Sequence, residues 1–338
     1  MARTNSGEQM GLDLGDADLN DFIADGMPRV EAALQKSLST GESFLTDKVQ
    51  HLALAGGKRF RPMFALLASR YGTDVPTAPA AVVDAAVVVE LTHLATLYHD
   101  DVMDEAERRR GTPSANARWD NSVAILAGDY IFAAASAIMA DLGTDTVRHF
   151  SETFGELVTG QMRETVGCPE GTDPVEHYMT VIQEKTGVLI ASAGYLGSLH
   201  GGAPEEYCTA LFQFGRNLGQ IFQIIDDIID VWSDPKESGK TPGTDLREGV
   251  FTLPVLYAMQ EDTDGGRRLR EILTGPVTED ALVDEALTLI RTSDGRERSL
   301  ADVEHYRDLG RAELAKLPAG ATTTALTELM DYSLARLG

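Results

Sequence analysis

Two short acidic runs share one pattern. Asp100-Asp101-Val102-Met103-Asp104 and Asp226-Asp227-Ile228-Ile229-Asp230 both read D-D-x-x-D. On a helix, positions i and i+4 share a face, so Asp100 stands with Asp104 and Asp226 with Asp230. Asp101 and Asp227 point about 100° away from their neighbours. Like charges one turn apart destabilise a helix, and each run adjoins an apolar stretch (residues 91–98 and 221–225) that must be buried. Oxygen-only clusters suit hard cations, and Mg²⁺ takes one or two carboxylates, several waters and substrate phosphates. One such run alone also reads as a solvated acidic helix end. The second copy, again in an apolar helix, favours the metal.

Cations stand near both runs. In Gly56-Gly57-Lys58-Arg59-Phe60-Arg61-Pro62 a glycine pair opens a helix, where close backbone approach and free N–H groups attract anions. Lys58 and Arg61 are spaced i, i+3 and project together, while Arg59 points elsewhere. Pro62 fits only in a first turn. A basic surface turn has the same composition. Arg108-Arg109-Arg110-Gly111 suits bidentate phosphate binding, and equally a cap on the preceding helix dipole. The longest irregular stretch, residues 233–249, carries Lys236, Lys240 and Arg247 and suits a lid over an anion. Acid runs followed by basic groups are what a metal-bridged diphosphate needs. Glu90-Leu91-Thr92-His93 has the Glu-x-x-His spacing of di-iron bundles, but no second copy accompanies it. A single hydrogen-bonded core histidine is its plain reading. His93 also stands two turns before Asp100 on the same face, where it suits a second substrate pocket.

The elements that must position these groups are helices. Apolar periodicity of 3.6 predicts them over 18–39, 57–71, 80–103, 123–142, 147–166, 174–199, 205–231, 253–260, 280–292, 300–317 and 323–337. The β-branched Val87-Val88-Val89 lies inside a long helical pattern, so helix wins there as well. The fold class is all-α. No linker interrupts residues 18–338, which read as one large domain after a flexible polar tail at 1–17. A formal charge of −24 argues against nucleic acid as a partner. Cys168 and Cys208 have no metal-ligand spacing and fit a reducing compartment. No signal peptide and no bilayer-spanning run is read, which predicts a cytoplasmic protein.

These motifs together resemble the trans-isoprenyl diphosphate synthases, or polyprenyl synthetases. The likeness runs from about Leu52 to Tyr257. It takes in G-G-K-R-F-R-P, D-D-V-M-D with its trailing R-R-G, Glu184-Lys185-Thr186-Gly187, and Phe222-Gln223-Ile224-Ile225 before D-D-I-I-D. It continues through Gly239-Lys240 and Gly243-Thr244-Asp245-Leu246, and its texture is similar to actinobacterial long-chain members that serve quinone side chains. The resemblance implies a large helix bundle of isoprenoid synthase type, with both acid-motif helices facing a central cavity, usually as a homodimer. It implies that Gly57, Lys58, Arg61, His93 and Arg110 hold isopentenyl diphosphate. Asp100, Asp104 and Asp226 would ligate Mg²⁺, about three ions per active site, with Asp101, Asp227 and Asp230 behind them. Arg109, Gln161, Lys185, Thr186, Gln223 and Lys240 would contact the allylic diphosphate, with Lys185 and Lys240 assisting catalysis. Val250 stands where the family often has a lysine, which leaves more of the lid's role to Arg247 or Lys240.

The implied reaction is a head-to-tail condensation: the allylic C–O bond ionises, the isopentenyl double bond attacks, and the released diphosphate takes the proton. Thr92, Ala95 and Thr96, upstream of Asp100, are all small, and short-chain relatives carry bulky aromatics near the positions of Ala95 and Thr96. With residues 133–137 as the facing wall these small residues predict a deep tunnel, and the resemblance implies a product of about C35–C45. Product release implies transient contact with a membrane. The alternatives are a geranylgeranyl or farnesyl synthase, a class I terpene cyclase with one diphosphate site, a di-iron oxidase, and a non-catalytic subunit or scaffold.

Overall fold

Asp16, rather than Asp18, opens the first helix. In the computed structural model, which describes residues 14–39, 41–232 and 242–335, its carboxylate accepts from the Leu19 N–H at 2.9 Å and caps α1 (Ala17–Ser37). Leu14 just ahead is buried, and its N–H donates to Asn20 Oδ1 at 3.1 Å. The rest of the expected tail, residues 1–13, lies outside the described residues.

The chain continues through α2 (Ser43–Val49), α3 (His51–Leu54), α4 (Phe60–Ser69) and α5 (Ala80–Met103). A two-residue hairpin, β1 (Arg108–Arg109) with β2 (Thr112–Pro113), leads to α6 (Ala115–Arg118), α7 (Asn121–Leu142), α8 (Thr144–Val166) and α9 (Pro174–Ile182). A π-turn (Gln183–Gly187) joins α9 to α10 (Val188–Gly201), followed by α11 (Glu205–Trp232) and α12 (Thr244–Glu248). Then come α13 (Leu253–Gln260), α14 (Asp264–Ile272), α15 (Asp280–Arg291), α16 (Gly295–Leu314) and α17 (Ala321–Ala335). The fold is an all-α bundle. The long helices fall where periodicity places them. Helix α14 was missed because Gly265-Gly266-Arg267-Arg268 hides its pattern, and α12 lies inside the stretch read as irregular.

The structure comprises two compact units. The first holds residues up to 154 with 189–213 and 314–326, and the second 155–188, 214–313 and the residues from 327 on. In the first, α5 packs against α1, α4 and α7, and Val87, Val88, Val89, Leu91 and Leu94 are fully buried. Burying one such side chain is worth about 1.5–3 kcal/mol, so this helix is an anchor on which side chains can be held precisely. The Tyr98 hydroxyl ties it to α2 and α3 by donating to Lys48 O (2.6 Å) and accepting from Leu52 N (3.2 Å). In the second unit Val231, Leu246, Val255, Leu269, Val283 and Ile290 form an apolar cluster. There the Arg291 guanidinium caps the end of α11 through Val231 O at 2.9 and 2.6 Å.

Among the described residues two helices, α5 and α7, are by length and composition apolar enough to cross a membrane. This corrects the expectation that no run reaches that length. Most of α5 is buried in protein, whereas α7 leaves Ile125 and Leu126 exposed.

Candidate active site

In the first unit the glycine-rich turn and the Arg hairpin meet. Gly56 (φ 88°) and Arg59 (φ 49°) take left-handed backbone, and the helix begins only at Phe60. Pro62 therefore sits in the first turn, where its missing N–H costs nothing. The start at Phe60 also corrects the shared helical face drawn for Lys58 and Arg61. Lys58 precedes the left-handed residue and is exposed, whereas Arg61 is half-buried on α4. A Cβ on Gly57 would lie 2.9 Å from the Arg110 guanidinium carbon, so only glycine lets that side chain rest against the turn. Arg110 then donates to Leu52 O (3.0 Å) and to Gly56 O.

Arg59 is structural. It is buried and donates to Glu90 (2.7 Å), Glu31 (3.1 Å) and Ala53 O (2.8 Å). Arg110 also lies 3.8 Å from Glu90. Arg61 has no such anchor at its Nε, which is buried without a hydrogen-bond partner. Burial pulls its pKa down to about 10, with Glu90 opposing and Arg110 reinforcing the shift. Burial, with the guanidiniums of Arg61, Arg110, Arg109 and Arg59, holds His93 well below the usual histidine range, so it is neutral at pH 7. An orphaned guanidinium N–H, a neutral imidazole and a second guanidinium are groups whose chemistry suits an anion.

The first acid run lies at the end of α5, the helix that also carries His93. Asp101 is fully buried and accepts from Arg109 Nε at 2.7 Å. Burial pushes its carboxyl up and Arg109 draws it back. Asp100 is half-buried and Asp104, the C-cap of α5, is exposed, so these two are turned the other way, as the periodicity requires. Thr92 and Ala95 are buried and Thr96 is half-buried. The wall drawn from residues 133–137 needs correction. Helix α7 does pack on α5, but its buried positions are Ala124, Ala127, Gly128, Ile131, Ala135 and Met139, while Ala133 and Ala137 are exposed.

In the second unit the Glu-Lys-Thr-Gly segment forms the π-turn, an element recurrent at functional sites. A Cβ on Gly160 would come within 2.6 Å of Lys185 N, and one on Gly219 within 2.5 Å of the Gly187 Cα. Glycine thus lets α8 and α11 approach the turn backbone. Lys185 pairs with Glu164, which also accepts from Gln161 Nε2 at 3.2 Å, and Arg163 pairs with Glu184 at 2.9 Å. Thr186 Oγ1 donates to Gln223 Oε1 (3.2 Å), Gln223 Nε2 donates to Asp227 Oδ1 (3.0 Å), and the Tyr178 hydroxyl donates to Asp227 Oδ2. Burial pushes Asp227 well above the usual carboxylate range, against the Tyr178 hydrogen bond. Asp226 is exposed and Asp230 buried. Lys236 and Lys240 lie outside the described residues. Arg247 is engaged with Asp280 at 2.8 Å, and Val250 is exposed.

Glu31, Glu164 and Tyr178 were not found by sequence reasoning. Tyr178 stands seven residues before Lys185, a helical spacing that could have pointed to it. Among the described residues no three His, Cys, Asp or Glu groups converge into a metal cage. Partly exposed, all-oxygen donors nevertheless fit Mg²⁺, which draws its other ligands from water and phosphate.

Residues 42–290 match the family model described as polyprenyl synthetase. The chain belongs to the polyprenyl synthetase family. Polyprenyl synthetases are prenyltransferases that use a divalent metal. The chain is 51% identical over 336 residues to a nonaprenyl diphosphate synthase of Mycobacterium tuberculosis, covering 99% of this chain and 100% of that one. It is 42% identical to a dimethylallyltranstransferase of the same organism, over 96% of this chain and 98% of the relative. Among solved structures, a geranylgeranyl pyrophosphate synthase from Corynebacterium glutamicum, complexed with calcium and isoprenyl diphosphate, superposes with a TM-score of 0.87. It is 59% identical, over 97% of this chain and 100% of that chain.

Proposed function

We propose that this polyprenyl synthetase is a long-chain, all-trans polyprenyl diphosphate synthase acting as one catalytic domain over residues 18–338. It condenses isopentenyl diphosphate with an allylic diphosphate, using Mg²⁺. The observation that carries the reading is the half-buried Arg61–Arg110–His93 group with the buried, unpartnered Nε–H of Arg61, distinct from Lys185, Thr186 and Gln223 around the π-turn. Two anion-binding sets fit two diphosphates, whereas a class I cyclase ionises only one.

Lys58, Arg61 and Arg110, against the Gly57 backbone, bind the isopentenyl diphosphate, and neutral His93 adds a hydrogen-bonding group without added charge. Lys185, Thr186, Gln223, Gln161, Arg109 and Lys240 orient the allylic diphosphate. Asp100, Asp104 and Asp226 would hold about three Mg²⁺ ions, with Asp101, Asp227 and Asp230 behind them. When bound, the metal neutralises charge developing on the departing diphosphate. The apolar helix faces exclude water while the allylic C–O bond breaks. A carbon–carbon bond then forms from the isopentenyl double bond, and the proton lost goes to the released diphosphate.

Small, buried Thr92 and Ala95 and the nonaprenyl relative support a product of seven to nine isoprene units. A shorter, geranylgeranyl product is the second reading, favoured by the 59% identity to the Corynebacterium enzyme. The exposed Ile125 and Leu126 on α7 support a homodimer, in the cytoplasm, with transient membrane contact at product release.

Asp100→Asn and Asp226→Asn test the metal assignment. Each should lower turnover by about two orders of magnitude or more with an unchanged circular dichroism spectrum. Near-normal turnover in either variant sinks the assignment.

A further inference from the structure

Tyr178 faces the second acid run from α9. Its hydroxyl donates to Asp227 Oδ2 across 49 residues of sequence, and Gln223 Nε2 donates to the other carboxylate oxygen at 3.0 Å. Gln223 Oε1 in turn accepts from Thr186 at 3.2 Å. The Tyr178 hydroxyl and the Gln223 amide nitrogen both donate to Asp227, which leaves the Gln223 amide oxygen to accept from the Thr186 hydroxyl. The amide orientation of Gln223 is therefore set by its neighbours. The chain of bonds joins α9, α11 and the π-turn, and it terminates at Tyr178, which has a fixed ring and no other hydrogen-bonding atom. Asp227 is only 3% exposed, so water is poorly placed to replace a lost donor.

We propose that Tyr178 is a positioning residue for the allylic-diphosphate half of the site: it fixes Asp227, and through Asp227 the Gln223–Thr186 pair. This rests on the function proposed above. A tyrosine that merely completed the core would contribute its ring to packing and its hydroxyl to a local bond, with no bearing on which substrate is held. The positioning role differs because Gln223 and Thr186 face one diphosphate and not the other.

Tyr178→Phe keeps the ring and removes the hydroxyl. The test measures KM for each substrate, and separately the binding of inorganic pyrophosphate with Mg²⁺ by calorimetry, where no turnover occurs. The allylic KM and the pyrophosphate dissociation constant should each rise about tenfold, with the isopentenyl KM within about twofold of wild type. Equal changes for both substrates, or a lowered melting temperature with unchanged binding, overturn the proposal. Should Tyr178→Phe not fold, 3-fluorotyrosine at position 178 alters the strength of the donor at nearly constant volume. Pyrophosphate affinity must then shift while the isopentenyl KM stays, and an unmoved affinity overturns the proposal. Asp226→Asn serves as the reference. If it loses pyrophosphate binding while Tyr178→Phe keeps it, only the role of Tyr178 fails. If wild-type protein binds no pyrophosphate with Mg²⁺, the proposed function itself fails.

Discussion

Glu90 decides which arginines of the first unit are free for a ligand. Buried at 2% exposure, it takes Arg59 at 2.7 Å and stands 3.8 Å from Arg110. Removing one partner of a buried pair leaves a charge uncompensated and costs about 3–5 kcal/mol. Arg59→Ala should therefore lower the melting temperature by several degrees. Arg61→Ala should leave it nearly unchanged and raise the isopentenyl diphosphate KM more than about tenfold. Lys240→Ala should act mainly on the allylic substrate. Thermal melts and two-substrate kinetics on the three variants check this, and equal effects of Arg61→Ala and Lys240→Ala on both substrates would mean the pockets are misassigned. At this scale much was legible. Helical phase separated Asp101 from Asp100 before any coordinates, whereas Arg59 parts from Arg61 because it is a left-handed residue ahead of α4. The partners of Tyr178 and Glu164 were not legible: the spacing of Tyr178 from Lys185 hints at a shared face, but local sequence does not say that Asp227 and Lys185, 49 and 21 residues further along the chain, come to meet them.

Helix α5 and the π-turn are the elements on which the two sets of groups depend. Long helices such as α1 could be read because their buried positions recur at 3.6 residues, and α5, buried nearly all round, because its apolar run is too long for a strand. The π-turn could not, since one inserted residue appears in sequence only as a slip of phase inside a pattern that remains apolar. The short helices α2, α3, α6 and α12 escaped for a related reason: one or two turns do not establish a period. The product-length argument belongs to α5. Ala95 is 2% exposed and Thr92 fully buried, so Ala95→Phe adds a ring where space is already tight, at a packing cost of about 1–3 kcal/mol. In variant protein whose melt confirms folding, the product distribution should shift toward about three or four isoprene units. Mass spectrometry of the products reads this directly. An active variant with the wild-type distribution would mean that the growing chain does not pass Ala95.

Across the whole molecule, a net charge of −24 coexists with a site whose ligands are anions. The contradiction is local. Arg59, Arg61, Arg109 and Arg110 face His93 in one unit, and Lys185 with Arg163 lies near the π-turn in the other. The acidic remainder carries the rest of the charge. The central claim is condensation of two diphosphates, and one measurement addresses it. The purified chain is incubated with isopentenyl diphosphate, farnesyl diphosphate and Mg²⁺, and the products are resolved by mass spectrometry. The account expects isopentenyl units to be consumed and all-trans polyprenyl diphosphates of seven to nine units to accumulate. No incorporation of isopentenyl diphosphate, with the allylic substrate converted alone to a hydrocarbon, would contradict it.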